Sequence, residues 1–325
     1  MSWKYLLPAL LAVALAGCGR SGPHDLIVTG AKPDRLFVID AGKRAVLAQF
    51  HIPDANQSVG VIVPSPDGRV AYVLVNRMES ISGIDLTTGK QVFRADLSSP
   101  GERVKCMFAF DVTPDGRELI VYELPVKLEQ DEYQVEEPRF AVFATSAGVA
   151  AKPVRSFPAP RRVHMVLAKK DGKSFYSVGF ELDEIDVRTG RVIAQRGIRS
   201  WNRPDHFNPD LLAIWPVSEP TGVFVSPVYS TRGSGEAAAG GIPTTSLMSL
   251  NLTTGELKYQ DFEKTAALIF SSVLSPARPE AFGVYAQLTK IDTQHGTLAN
   301  RVNLDHTFYS VNIATDGSEV YLGGA

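Results

Sequence analysis

The chain has 325 residues, of which 44% are hydrophobic, so it is long enough to bury a substantial core. Lys and Arg number 33 against 35 Asp and Glu, which gives a formal net charge of −2 and excludes a strongly basic surface for nucleic acid or anionic lipid. The two cysteines, Cys18 and Cys106, form no Cys-x-x-Cys-His haem signature and no zinc-ligand spacing. Cys106 lies in an apolar run and is predicted to be a buried, inert thiol.

Residues 1–18 are predicted to be a signal peptide, followed by a short linker at 19–24. After Lys4, the stretch Leu6 to Ala16 is apolar but too short to span a bilayer. It ends in Leu-Ala-Gly-Cys18, which resembles a bacterial lipobox and predicts lipid on the sulfur of Cys18. The alternative is an ordinary secretory cleavage nearby, with Cys18 incidental. Both interpretations predict export to the bacterial periplasm, and the first adds a membrane tether.

Residues 25–325 are predicted to form one β-propeller domain, because two turn phrases alternate along them. In the first phrase, an Asp or Asn bonds the backbone two residues on, and a Gly closes the turn in the left-handed conformation. Its glycines are roughly 40–65 residues apart, close to the period of about 40–50 residues that is typical of propeller blades. The copies are Ile84–Lys90, Ile185–Arg191, Leu250–Glu256, Ile291–Gly296 and a degraded Phe143–Gly148.

The second phrase is an Asp-Gly turn that precedes an apolar strand. It occurs at Pro64–Gly68, Thr113–Gly116, Lys170–Gly172 and Thr315–Gly317. Together the two phrases predict an all-β fold, a seven-bladed propeller of four-stranded antiparallel blades. The predicted blades are 25–50, 59–97, 104–157, 161–198, 207–262, 266–304 and 308–325.

The first and last predicted blades are incomplete. Residues 25–50 supply three strands and residues 308–325 only two. We therefore expect the last blade and the ring closure to be truncated at the C-terminus. The alternative is a natural short form with open strand edges, which favour aggregation.

Long loops are predicted on one face of the disc, where binding residues usually concentrate. A catalytic interpretation would pair His206 with an acid, but no nucleophile motif, metal triplet or phosphate loop accompanies it, so no catalytic, cofactor or metal residue is assigned. Solvated loop residues or a protein interface are the alternatives. The acidic run at 129–137 is predicted to be a solvated loop. The candidates for a partner or substrate-pocket face are Asn76, Glu79, Glu123, Trp201, Arg203, His206, Tyr229, His306 and Phe308.

Several stretches carry a resemblance to a known family. They are Asn76–Ser80, Glu102–Lys105, Tyr122–Glu129, Pro209–Trp215 and Tyr309–Ala325. With this blade order, the chain resembles the β subunit of quinohemoprotein amine dehydrogenases and is more distantly similar to the heavy chain of methylamine dehydrogenase. The resemblance covers nearly everything from His24 onward, and its specificity lies in the ensemble of stretches.

The resemblance implies a non-catalytic propeller subunit with no cofactor of its own. In that family, a γ subunit carries a cysteine tryptophylquinone and an α subunit carries two c-type haems. The complex oxidises primary amines to aldehydes and ammonia, and α passes electrons to a periplasmic acceptor. The alternative function is a stand-alone envelope lipoprotein propeller that binds a protein or ligand without a redox role. The lipobox departs from the soluble periplasmic assembly that we would otherwise expect.

The lipobox prediction is tested by metabolic labelling with a palmitate analogue. We expect label on the wild-type chain and none on Cys18→Ser, because the thioether to lipid forms on that sulfur. Equal labelling of the two chains would contradict lipid attachment at Cys18.

Overall fold

The computed structural model describes residues 25–56, 58–199, 206–211, 215, 220–233, 241–264 and 267–324. Within these residues the regular structure is antiparallel β-sheet, together with two short 3-10 segments at Asn76–Met78 and Thr145–Ala150. No helix in the described part of the chain is long and apolar enough to cross a membrane. The predicted signal peptide, linker and Cys18 lie outside the described residues.

The strands follow one another along the chain, and each sheet is built mostly from consecutive strands. A three-stranded sheet comes first, with β1 (Leu26–Ala31), β2 (Arg35–Asp40) and β3 (Ala45–His51). Blade I contains β4 (Val59–Pro64), β5 (Val70–Val75), β6 (Ser80–Asp85) and β7 (Gln91–Asp96). Blade II contains β8 (Glu102–Lys105), β9 (Phe110–Val112), β10 (Glu118–Leu128), β11 (Tyr133–Val135), β12 (Arg139–Ala144) and β13 (Pro153–Pro158).

The remaining blades repeat the antiparallel order of blade I. Blade III contains β14 (Val163–Ala168), β15 (Ser174–Gly179), β16 (Glu181–Asp186) and β17 (Val192–Gly197). Blade IV contains β18 (His206–Leu211), β19 (Val223–Arg232), β20 (Ile242–Asn251) and β21 (Leu257–Glu263). Blade V contains β22 (Ser271–Leu274), β23 (Glu280–Val284), β24 (Gln287–Asp292) and β25 (Thr297–Asn303), and a two-stranded sheet of β26 (Phe308–Ile313) and β27 (Val320–Gly324) follows.

The prediction of seven four-stranded blades is wrong, and the structure is a six-bladed propeller. Among the described residues, only blades I to V have four strands or more, and the sheets at the two ends have three and two. These partial sheets meet, since the backbone N–H and Oγ1 of Thr315 donate to the Asp25 carboxylate at 2.9 and 2.7 Å. Arg44 also pairs with Glu319 at 2.8 Å. We therefore count the two partial sheets together as one closing blade.

The hydrophobic core lies between the blades, because strands near the middle of each sheet are apolar on both faces. All of β5 after Val70 is buried, and so is every residue of β15. Aromatic rings span the boundaries: Phe93 of blade I lies 6.5 Å from Phe143 of blade II, and Phe140 of blade II lies 5.0 Å from Phe175 of blade III. Such edge-on pairs contribute about 0.5–1.5 kcal/mol beyond the area that they bury.

The turn predicted between the third and fourth strands is confirmed. In blade I, the Asp85 carboxylate accepts the N–H groups of Thr87 and Thr88 at 2.9 and 2.7 Å. Asp186 accepts the equivalent N–H groups in blade III at 3.1 and 2.7 Å. The glycine that ends the turn has φ of +70° in both blades, a conformation that a Cβ disfavours.

The same glycines allow neighbouring blades to approach closely. A Cβ on Gly190 would lie 2.3 Å from Cγ of Phe157, a buried residue of blade II. Gly68, in an Asp-Gly turn, also has positive φ (+69°), but a Cβ there would meet nothing within 4 Å. The contact at Gly190 therefore fixes the distance between two blades, whereas Gly68 serves only its own turn.

We expect Gly190→Ala to lower the free energy of unfolding more than Gly68→Ala. Both variants place a Cβ at positive φ, which costs about 1–2 kcal/mol. Gly190→Ala also forces Phe157 to move, and overpacking of this kind costs about 1–3 kcal/mol more. Denaturant unfolding of the two variants measures the difference. Equal losses would contradict the close contact between blades II and III.

Candidate functional site

Among the candidates that the structure describes, Asn76 and Glu79 lie in the turn between β5 and β6, and Glu123 and Tyr229 lie within the long strands β10 and β19. His206, His306 and Phe308 lie in or beside links between blades. Turns between second and third strands and links between blades share one face of an antiparallel propeller. We refer to it as the loop face. Trp201 and Arg203 fall outside the described residues. The other candidates lie in separate local networks, described in turn below.

Asn76 and Glu79 hold a strained turn between β5 and β6. Asn76, Arg77 and Met78 all have positive φ, from 53° to 72°, which non-glycine residues rarely adopt in succession. The Asn76 side chain anchors the turn, accepting from Asn56 Nδ2 at 3.0 Å and donating to Ser80 Oγ at 3.3 Å. The carbonyl of Met78 accepts the N–H of Cys106 at 2.9 Å, which ties blade I to blade II.

Glu79 completes that tie between the blades. Its Oε2 accepts from Ser98 Oγ at 3.1 Å, and its Oε1 lies 3.1 Å from Nε of Arg103 on β8. Both oxygens of the Glu79 carboxylate therefore contact residues at the boundary between blades I and II, so Glu79 has a structural role on the loop face.

Glu123 is buried and paired with Arg139 across β10 and β12. Arg139 Nε donates to Glu123 Oε2 at 2.7 Å, and its Nη1 and Nη2 donate to the two oxygens of Glu102 at 2.9 and 3.1 Å. Burial raises the pKa of Glu123, against the opposing effect of Arg139. The pKa of Arg139 is raised, mainly by its hydrogen bonds to the Glu102 carboxylate. This triad joins β8, β10 and β12 into one unit.

Tyr229 likewise has a structural role. Its hydroxyl donates to the carbonyl of Ile269 at 3.1 Å and accepts the N–H of Ile269 at 2.9 Å, so it links blades IV and V. Burial raises the pKa of Tyr229 to about 12. The phenol is therefore protonated at neutral pH and acts as a hydrogen-bonding link.

The two histidines lie in or beside links between blades. His206 begins β18, opposite Arg232 of β19. His306 is exposed; its Nδ1 lies 2.9 Å from an Asp305 carboxylate oxygen, and its ring packs 4.4 Å from that of Phe308. Among the described residues, no group of three or more His, Cys, Asp or Glu side chains could hold a metal ion.

Sequence analysis missed a cluster of five aromatic rings from four blades, which we call the central aromatic cluster. Phe108 lies 4.9 Å from Trp215, and Trp215 lies 6.2 Å from Tyr309. Phe270 lies 5.4 Å from Tyr309 and 4.6 Å from Tyr285. Because blade III separates blades II and IV along the ring, contact between Phe108 and Trp215 places these rings at the propeller's centre.

The central aromatic cluster is half-buried, so its rings are neither a closed core nor free surface. Phe108 has φ of +69°, a conformation that is strained for an aromatic residue and that often occurs at ligand-binding positions. Ring faces of this kind bind apolar groups by packing and organic cations by their quadrupole. A sequence signal existed, since Phe108, Phe270 and Tyr309 each lie just before or at the start of an inner strand.

The buried thiol of Cys106 lies in the hydrophobic cluster against which Phe108 and Trp215 pack. The prediction that Cys106 is buried is confirmed, since its exposed fraction is 0%. Its Sγ donates to the carbonyl of Ala109 at 3.6 Å, and burial raises its pKa far above the usual value. A thiol held in this state is a poor nucleophile.

No family model matches the chain, and no curated protein matches its sequence. Its fold is similar to that of Kuenenia stuttgartiensis hydrazine synthase, with a TM-score of 0.60 and 15% identity, covering 97% of this chain and 96% of that chain. It is also similar to the β-propeller domain of Myceliophteria thermophila Cps50 (Swd1), with a TM-score of 0.61 and 12% identity, covering 93% and 90%. Both similarities show a β-propeller fold.

We expect Arg139→Met to lower the free energy of unfolding by about 3–5 kcal/mol, because it leaves the buried Glu123 carboxylate without its partner. The double variant Glu123→Gln/Arg139→Met removes that charge as well and should recover a large part of the loss. Denaturant unfolding measures both variants. Equal losses in the single and double variants would contradict a structural role for the pair.

Proposed function

We propose that this chain is the non-catalytic propeller subunit of a periplasmic amine dehydrogenase complex, acting as a scaffold for the subunits that carry the cofactors. The central aromatic cluster carries the proposal. It offers a half-buried apolar surface at the middle of a rigid ring, while Glu79, Glu123 and Tyr229 are engaged in structural contacts between strands or blades. The sequence resemblance supports the finer assignment, and the propeller fold of hydrazine synthase is consistent with a scaffold in nitrogen chemistry.

In this proposal, the reaction consumes a primary amine and one water molecule and yields an aldehyde, ammonia, two protons and two electrons. A cysteine tryptophylquinone on the γ subunit would accept the two electrons, and haem c groups on the α subunit would carry them to a periplasmic acceptor. The present chain contributes Phe108, Trp215 and Tyr309 as an apolar wall that excludes water beside the partner. Such a wall favours burial of the organic part of a substrate.

The state of Cys106 supports the absence of a quinone built from this chain. A tryptophylquinone crosslinked to cysteine needs a reactive thiol beside a tryptophan. Trp215 packs against the same cluster as Cys106, but the thiol is fully buried, hydrogen-bonded to Ala109 and held protonated by its raised pKa.

The proposal is tested on the complex purified from the native host through a tag on this chain. After denaturing separation, we expect quinone staining on a small polypeptide, haem staining on a larger one and neither on this chain. The intact complex should reduce a dye when a primary amine is added. Tyr309→Ala should lower that activity at least 5-fold, because it opens the aromatic wall, whereas Val154→Ser on the outer strand β13 should leave it unchanged.

Quinone staining on this chain's own band would overturn the non-catalytic assignment. Recovery of the chain with neither haem-bearing nor quinone-bearing polypeptides, and without amine-dependent activity, would favour the stand-alone envelope propeller.

A further inference from the structure

Strand β10 extends beyond the body of blade II and carries a hairpin. Its first half, Glu118–Glu123, pairs with β9 and β12 in the blade. Its second half, Leu124–Leu128, pairs with β8 on one side and β11 on the other. The hairpin of β10 and β11 therefore projects on the loop face as a small sheet of its own, which we call the blade II arm.

One side of the blade II arm is apolar and exposed. Val126 lies opposite Val135, and Leu128 lies opposite Tyr133, so the four side chains share one face of the hairpin. The exposed fractions of Leu128, Tyr133 and Val135 are 39%, 78% and 72%. Lys127 and Gln134 form the opposite, polar face.

This patch differs from the other exposed apolar side chains. Most of those, such as Val46, Val154 and Val192, lie on the last strand of a sheet, where the rim of a propeller meets solvent. Tyr133 and Val135 instead occupy a protruding strand of three residues. A contiguous apolar surface on a protrusion is characteristic of an interaction site.

The rim of the patch formed by residues 129–137 is acidic, whereas on β8 the patch is bordered by Arg103, which lies opposite Val126 and pairs with Glu79. Residues 129–137 contain five acids and no Lys or Arg. Glu129 is neutralised by Lys127 at 2.5 Å, and Glu137 by Arg161 at 2.5 Å. The carboxylates of Asp131, Glu132 and Glu136 extend the negative potential around Tyr133 and Val135.

We propose that the blade II arm docks a protein partner whose apolar patch is surrounded by Lys and Arg side chains. Tyr133 and Val135 supply the desolvated centre of the interface, since a rigid aromatic anchor within a charged rim is typical of binding surfaces. Asp131, Glu132 and Glu136 attract and orient the basic partner. A second copy of this chain fits less well, because residues 129–137 of its own arm contain five acids and no Lys or Arg.

Docking at the blade II arm does not depend on the chemistry that the partner performs, so it stands apart from the amine dehydrogenase assignment. A basic partner that carries neither haem nor quinone would contradict the amine dehydrogenase assignment and leave the docking surface intact.

The test places a photo-cross-linking amino acid at position 133 of the full chain, expressed in the native host, and compares it with position 134. The two positions are adjacent and exposed, but they lie on opposite faces of the hairpin. We expect a discrete adduct from position 133, at least 10-fold more abundant than from position 134, with a polypeptide that has a basic surface.

The purified partner is then titrated against the chain. Tyr133→Ser/Val135→Ser should weaken binding at least 10-fold, and Asp131→Lys/Glu132→Lys/Glu136→Lys at least 5-fold, whereas Gln134→Ala should change it less than 2-fold. Binding should also weaken in 1 M salt, where the Debye length falls to about 3 Å.

The proposal is overturned by absence of an adduct at position 133, by equal adducts at both positions, by an adduct with a second copy of this chain, or by a partner whose binding is unaffected by the charge reversal. Melting temperatures of the variants within about 2 °C of the wild type identify weakened binding as a surface effect.

Discussion

The structure depends on one constraint: each blade has apolar side chains on both faces and must be covered on both sides. Strand β15, in which every residue is buried, illustrates this condition. Each hydrophobic cluster accordingly combines residues from neighbouring sheets, as where Phe140 of blade II meets Phe175 of blade III. A ring satisfies the condition for every blade at once. In the closing blade, the first sheet packs against blade I and the last sheet packs against blade V.

The same constraint explains why so many polar side chains serve the scaffold. Blades that pack on both faces must be held in fixed positions relative to one another. Carboxylate and hydroxyl groups at the blade edges hold them there through hydrogen bonds. Glu79, Glu123 and Tyr229 each bond across a strand or blade boundary. In the described part of the loop face, the central aromatic cluster is half-buried and the blade II arm has an exposed apolar side.

The turns could be predicted from sequence because they depend on local chemistry. An Asp or Asn that bonds the backbone and a Gly with positive φ are visible in the sequence, and Gly89 and Gly190 adopt that conformation. The number of blades could not be obtained this way. The C-terminal sheet contains the Asp-Gly phrase of a complete blade at Thr315–Gly317, but the contact of Thr315 with Asp25 joins residues from opposite ends.

Features that depend on contacts between residues far apart in the sequence could not be predicted either. The rings of Phe108, Trp215 and Tyr309 converge only when the ring closes, and burial of Glu123 depends on Arg139 and on packing by β8. The acidic run at 129–137 was predicted to be a solvated loop, and this is wrong for Tyr133–Val135, which form β11. Two apolar residues among five acids are too weak a periodic signal to indicate a strand.

Native mass spectrometry of the chain, purified from its own host under mild conditions, tests most directly whether it is a scaffold for redox subunits. We predict a hetero-oligomer whose mass includes one larger haem-bearing polypeptide and one small polypeptide in addition to this chain. A chain recovered only as a monomer, or only in complex with further copies of itself, would contradict the scaffold role.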